Sequence, residues 1–128
     1  MAEKKVKILM VEDETDLAEV YSLQMKMSGI DVTIARNGAD ALSFIQKQKF
    51  DLVLLDLFMP DMDGFEVLQK LTADPKIKKQ TIYAWSNLTQ KKQIDYAIKC
   101  GATDFLIKSD YTPKTLVEKV MELINKNK

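Results

Sequence analysis

Apolar residues along this chain follow two alternating rhythms, short dense runs and longer stretches with spacings of three and four. The dense runs are VKILMV (6–11), VTIA (32–35), LVLLD (52–56), TIYAWS (81–86) and DFLIK (104–108), and each predicts a strand. KILMV, LVLL and DFLI carry no polar alternation, the pattern of parallel strands covered by helices on both faces. Between the runs, Leu17, Val20, Tyr21 and Met25 predict the buried stripe of one helix, and Ala41, Leu42 and Ile45 that of a second. Phe65, Leu68 and Leu71 predict a third stripe, and Ile94, Ala97 and Ile98 a fourth. The last helix is marked most fully: Thr112 caps it, Pro113 suits its first turn, and Leu116, Val117, Val120, Met121 and Ile124 recur at helical spacing. Gly29 and Gly101 are placed to end the first and fourth helices. Five strands alternating with five helices predict an α/β fold, a doubly wound parallel sheet with right-handed crossovers.

A sheet of this kind gathers its ligand site outside the carboxyl ends of its strands, near the point where strand order reverses. The predicted strands end at Glu12 and Asp13, at Asp56, at Ser86 and at Lys108. Each residue alone has an ordinary role. Acids before a helix interact well with its N-terminal N–H groups, an aspartate opens turns, a serine caps helices, and a lysine marks emergence into water. Together, three acids, a hydroxyl and a lysine at the ends of four strands are not explained by capping. The stretch LVLLDLFMPDMDG (52–64) makes the point most sharply, because Asp56 ends a run otherwise fit only for burial. A strand end holds a reacting carboxylate more rigidly than a loop.

Composition narrows the candidates. The 128 residues suit one domain, 1–128, with a core large enough to need no disulfide. Nineteen basic and nineteen acidic side chains cancel, so overall charge favours neither nucleic acid nor an anionic membrane as partner. The apolar stretch at the amino end is too short for a signal peptide or a membrane span, and Cys100 stands alone, so a cytoplasmic location is expected. Cys100 itself is expected as a small packed apolar residue. The chain has no histidine, which removes the commonest general base and metal ligand, and any phosphohistidine must come from another molecule.

Three carboxylates beside one lysine leave excess negative charge, and each like-charge contact at about 4 Å costs roughly 4 kcal/mol at an effective dielectric near 20. A divalent cation relieves this. Mg2+ suits the set because it takes oxygen ligands and needs one or two carboxylates, whereas zinc is disfavoured without histidine and with a single cysteine. Mg2+ beside Asp56, with Lys108 and Ser86 opposite, describes phosphoryl transfer to a carboxylate.

The joint pattern VEDE, LLDLFMPDMDG, WSN and FLIK, in that order, closely resembles the receiver domains of two-component response regulators, here of the stand-alone type similar to the chemotaxis regulator. The resemblance covers nearly the whole chain from Val6 and implies a flavodoxin-like sheet of strand order 2-1-3-4-5. It implies that a sensor histidine kinase or histidine phosphotransfer protein donates a phosphoryl group to Asp56. It further implies Asp13 as a direct metal ligand, Glu12 as one acting through metal-bound water, and the Phe58 backbone carbonyl as the remaining protein ligand. Lys108 and Ser86 would contact phosphoryl oxygens, and Phe105 would be the aromatic switch that turns inward as Ser86 moves. Output would go to a downstream protein through the face of the fourth helix, fifth strand and fifth helix, with phosphorylation-dependent dimerisation as one form of it.

Several positions depart from the family's usual pattern. Glu12 stands where many relatives carry aspartate, and Ser109 follows Lys108 where many carry proline, often after a cis bond. Before serine a cis bond costs about 2.5–4 kcal/mol, so trans is expected. Phe58 and Leu88, two residues beyond Asp56 and Ser86, are both apolar and flank the family's path for hydrolytic water.

Other functions remain alongside. A haloacid-dehalogenase-like phosphatase also forms an aspartyl phosphate, but its motif needs an aspartate at position 58, and no cap domain fits the length. A flavin carrier would need a neutral donor-rich first loop, not EDE. A degenerate receiver would act as a phosphorylation-independent scaffold. The expected protein is a signalling domain that catalyses its own modification, not a turnover enzyme.

Overall fold

The computed structural model describes residues 5–60, 63–77, 80–87 and 90–126. Leu88 lies outside the described residues, as do Asp61 and Met62 of the turn after Asp56. Strand β1 (Lys7–Val11) leads to helix α1 (Thr15–Met27), β2 (Asp31–Ala35) to α2 (Gly38–Lys47), and β3 (Leu52–Leu55) to α3 (Gly64–Ala73). Then follow β4 (Ile82–Ser86), α4 (Lys91–Cys100), β5 (Asp104–Ile107), a 3-10 turn (Lys108–Asp110) and α5 (Pro113–Lys126). The sheet order is β2-β1-β3-β4-β5 and the paired strands are parallel. This is the expected doubly wound, flavodoxin-like topology, with strand boundaries shifted by a residue.

Period-two alternation divides the core into two halves. Leu9, Val11, Val53, Leu55, Ile82 and Ala84 pack with α2, α3 and α4 on one face. Ile8, Met10, Leu52, Leu54, Tyr83 and Trp85 pack with α1 and α5 on the other. Every residue of β3 and β4 is buried, as the central position requires. The run DFLI differs from the expectation of burial on both faces. As β5 it forms a sheet edge, where Phe105 and Ile107 are half-buried and Asp104 is exposed.

Helix ends follow local chemistry. Asn37 Oδ1 accepts from Asp40 N at 2.8 Å to cap α2, and Thr112 Oγ1 accepts from Thr115 N at 3.1 Å to cap α5. Gly29 and Gly101, at φ 85° and 125°, take the left-handed conformations that end α1 and α4. Two stripe positions depart from expectation. Val20 is 53% exposed on α1 and Ile98 is 43% exposed on α4, because no neighbouring element covers those sides of the helices. With Leu23 and Met27, Val20 forms an exposed apolar row along α1. Among the described residues, no helix is long and apolar enough to cross a membrane.

The start of α3 sets the shape of the carboxyl edge. A Cβ on Gly64 would lie 2.4 Å from Leu57 Cα and 2.7 Å from the Asp56 carbonyl oxygen, so the helix closes on that backbone only without a side chain. Gly64 N also donates to Leu57 O at 3.1 Å, and a lone antiparallel bridge joins Phe58 to Asp63. Gly64→Ala is expected to lower stability by about 1–3 kcal/mol, the usual cost of overpacking, measured by urea denaturation.

Candidate functional site

Parallel register brings the strand ends level. Val11 lies beside Leu55 across β1 and β3, and Ser86 lies beside Ile107 across β4 and β5. The ladder continues one residue further, since Glu12 N donates to Ala35 O at 2.9 Å and Asp56 N donates to Val11 O at 3.1 Å. Backbone bonds thus fix both acids where the sheet stops. Glu12, Asp56 and Ser86 are buried, Asp13 is half-buried, and all four line one cleft of about 380 Å³ with Phe58 and Lys108.

One carboxylate oxygen from each of Glu12, Asp13 and Asp56 lies within 4.8 Å of the other two. Lys108 answers part of that charge, donating to Glu12 Oε1 at 2.5 Å and to Asp56 Oδ2 at 3.1 Å. The other oxygen of Asp56, Oδ1, accepts from Phe58 N at 2.9 Å, so both oxygens of this carboxylate are held. Lys108 belongs to the 3-10 turn just beyond β5, and its ammonium lies 6.0 Å from the buried Trp85 ring. Burial pushes the Glu12 carboxyl up to about 7, against the pull of Lys108, while the two acids raise the Lys108 ammonium despite its own burial. Oxygen ligands alone, three carboxylates with one ammonium between them, suit Mg2+ and not zinc.

The edge also has features that strand-end positions alone did not predict. Asn87 Oδ1 accepts from Ser109 N at 2.9 Å, tying the loop after β4 to the turn after Lys108. Proline at that position would have no N–H to give. The Lys108–Ser109 bond is trans, as expected before serine. Tyr21 Oη donates to Tyr111 O at 2.8 Å, fastening α1 to the same turn, and the Tyr21 ring meets Trp85 edge-on at 5.3 Å. Gln93 and Asn87 join the cleft lining. Phe105 stays half-buried against the α2, α3 and α4 side, separated from Ser86 by an apolar gap of about 10 Å³. Cys100 is buried and receives Gln69 Nε2 at 3.5 Å, as a packed side chain.

Known proteins match this arrangement along nearly the whole chain. A family model described as the response regulator receiver domain matches residues 8–121, and the chain belongs to that family. It is 31% identical over 121 residues to the DNA-binding response regulator MtrA of Mycolicibacterium paratuberculosis, covering 94% of this chain and 52% of that protein. The chain therefore spans about half the length of that curated relative. Among solved structures, a CheY-like receiver domain protein from Methanospirillum hungatei JF-1 superposes with a TM-score of 0.83 at 25% identity, covering 96% of both chains. The chemotaxis response regulator CheY4 of Vibrio cholerae gives 0.83 at 27% identity, covering 94% of this chain and 99% of that one. Receiver domains are two-component signalling modules and not turnover enzymes; they bind Mg2+ at an acidic pocket and work with histidine kinases or phosphotransfer proteins.

The Glu12 shift has a sign that can be measured. Between about 4.5, its ordinary value, and about 7, the folded protein holds a proton that the unfolded chain releases. Stability from this group is therefore greatest at low pH and declines as pH rises through that window. In chelator, urea midpoints of Glu12→Gln should show a shallower decline from pH 5 to pH 8 than those of the parent protein.

Proposed function

We propose that this chain is a phosphoacceptor response regulator in which Asp56 takes a phosphoryl group from a partner phosphohistidine, with Mg2+ bound beside it. The observation that carries the proposal is one carboxylate held at both oxygens inside an acidic cluster: Lys108 donates to Oδ2 and Phe58 N to Oδ1, and one oxygen each of Glu12 and Asp13 lies within 4.8 Å. Asp56 attacks phosphorus and the phosphorus–nitrogen bond of the donor breaks. Bound there, Mg2+ would supply neutralisation of charge on the transferring group and on the acids. Asp13 and Asp56 would hold the metal directly with the Phe58 carbonyl, and Glu12 would act through its water. Lys108, which bonds to both Glu12 and Asp56, would pair with a phosphoryl oxygen once the group is attached. Ser86, buried on the same edge, would hydrogen-bond another.

The switch would follow from where Ser86 and Phe105 sit. They border the same gap, which at about 10 Å³ is far too small for a phenyl ring. An inward turn of Phe105 therefore requires Ile94 and Ala97, which line that gap on α4, to move away. Motion of α4 would carry the exposed Tyr96 and Ile98, and so change binding of a downstream protein or a second copy at the α4, β5 and α5 face. A full reversal from 1:99 to 99:1 needs about 5.5 kcal/mol of differential stabilisation. The exposed row Val20, Leu23 and Met27 lies on the helix that begins at the acidic loop, and it suits docking of the phosphodonor protein. The proposed setting is a cytoplasmic domain, 1–128, whose output is protein binding and not direct contact with nucleic acid or membrane. A phosphorylation-independent scaffold would have no use for the buried acids and the lysine that answers them.

Incubation with Mg2+ and acetyl phosphate should add one acid-labile phosphoryl group, read by intact mass spectrometry. The adduct should disappear in Asp56→Ala and fall sharply in chelator. Survival of the adduct in Asp56→Ala would move the acceptor to another residue.

A further inference from the structure

A concavity of about 270 Å³ lies at the edge of the sheet opposite Asp56, between the segment entering β3 and the segment entering β4. Lys47, Lys49 and Lys76 line it, and its lining includes no carboxylate. A lysine in the last turn of a helix has an ordinary role at the negative end of the macrodipole, and Lys47 in α2 fits it. Lys49 and Lys76 do not fit it, because they lie past Gln48 at the end of α2 and past Asp74 at the end of α3. Elsewhere on the surface lysines meet acids: Lys70 lies 3.4 Å from Glu66, and Lys119 lies 3.8 Å from Glu122. Among the described residues, none of the three lysines in the concavity has such a partner.

The acids nearest to them in sequence are engaged otherwise. Asp74 Oδ1 accepts from Lys76 N at 2.9 Å, and Asp51 Oδ2 accepts from Lys7 N at 2.8 Å. Both carboxylates fasten backbone and leave the ammonium groups unanswered. Gln80 holds the walls together: its Oε1 accepts from Phe50 N at 3.0 Å and its Nε2 donates to Phe50 O at 2.7 Å, joining the entry of β3 to that of β4. Ile45 and Ile77 connect the hollow to the core beneath, and the exposed Gln46 and Gln48 add amide donors. In a chain whose basic and acidic side chains cancel, this is a local excess of positive charge on a fixed frame.

We propose that this hollow binds a small multivalent phosphate, either an inorganic polyphosphate or the phosphate chain of a nucleotide. Phosphate packs several charges and acceptor oxygens into little volume, and ammonium groups can converge on it from different directions. The volume suits a short phosphate chain and not a folded partner. Overall neutrality argues against a nucleic-acid polymer, which needs an extended basic face. The site depends on neither Asp56 nor Mg2+.

The test titrates the whole chain with tripolyphosphate, ATP and orthophosphate, in chelator and low salt, and reads amide NMR shifts. Amides from Lys47 to Phe50, with those of Lys76 and Ile77, should shift saturably, and tripolyphosphate should bind more tightly than orthophosphate. Combining Lys47→Gln, Lys49→Gln and Lys76→Gln should weaken tripolyphosphate by roughly three- to a hundredfold, the scale of three exposed ion pairs. Combining Lys91→Gln, Lys92→Gln and Lys114→Gln, exposed lysines outside the hollow, removes the same charge and should leave binding nearly unchanged. The amide spectra also report whether both variants are folded. Tighter binding of ATP than of tripolyphosphate assigns a nucleotide, and equal binding assigns the phosphate chain alone. Absence of saturable shifts, shifts centred elsewhere, equal loss in the two triple variants, or orthophosphate binding as tightly as tripolyphosphate overturns the proposal. A hexaglutamate peptide binding there more tightly than tripolyphosphate also overturns it, in favour of an acidic protein segment.

Discussion

Two buried carboxylates at the ends of neighbouring parallel strands, Glu12 after β1 and Asp56 after β3, would repel each other without a cation between them. Lys108 supplies that cation from the far side of the sheet, bonding to both. The arrangement satisfies the acids incompletely, because Asp13 also belongs to the cluster and a single ammonium faces three carboxylates. Burial already drives Glu12 toward the neutral form near neutral pH. Residual negative charge at the floor of an open cleft is a standing attraction for a divalent cation, so electrostatic repulsion in the metal-free state and affinity for metal have the same source.

The scaffold turns this charge cluster into a fixed geometry. β3 and β4 are buried on both faces, so the backbone delivering Asp56 and Ser86 cannot shift without disturbing both halves of the core. The missing side chain of Gly64 then lets α3 press against the Asp56–Leu57 backbone. Rigidity beneath the site contrasts with looser packing beside it. β5 is an edge strand, Phe105 is half-buried, and α4 leaves Tyr96 and Ile98 exposed. Elements with fewer buried contacts are the ones that can move at low cost. The distribution of burial thus separates a fixed acidic edge from a more loosely packed α4 and β5 side.

Strand and helix identity were legible because parallel strands and amphipathic helices leave different periods in the chain. Convergence of Glu12, Asp13, Asp56, Ser86 and Lys108 followed from topology alone. What stayed hidden depends on neighbours distant in sequence. DFLI reads as a central strand because its run is apolar, yet strand order puts it at the edge. Val20 and Ile98 fit helical stripes, but whether another element covers a stripe is not a local property. The close approach at Gly64 and the bond from Ser109 N to Asn87 likewise join segments whose meeting no periodicity encodes. The placement of Lys108 at the same edge was legible, whereas its bonds to both Glu12 and Asp56 required coordinates.

The turn at Gly29 lies at the amino edge of the sheet, across the molecule from the acidic cleft, and a Cβ there would meet nothing within 4 Å. Chain spliced into that turn would project into open solvent while the strand ends kept their register. A fluorescent or affinity tag grafted between α1 and β2 would therefore ride on the domain as a handle, remote from both Asp56 and the α4 surface.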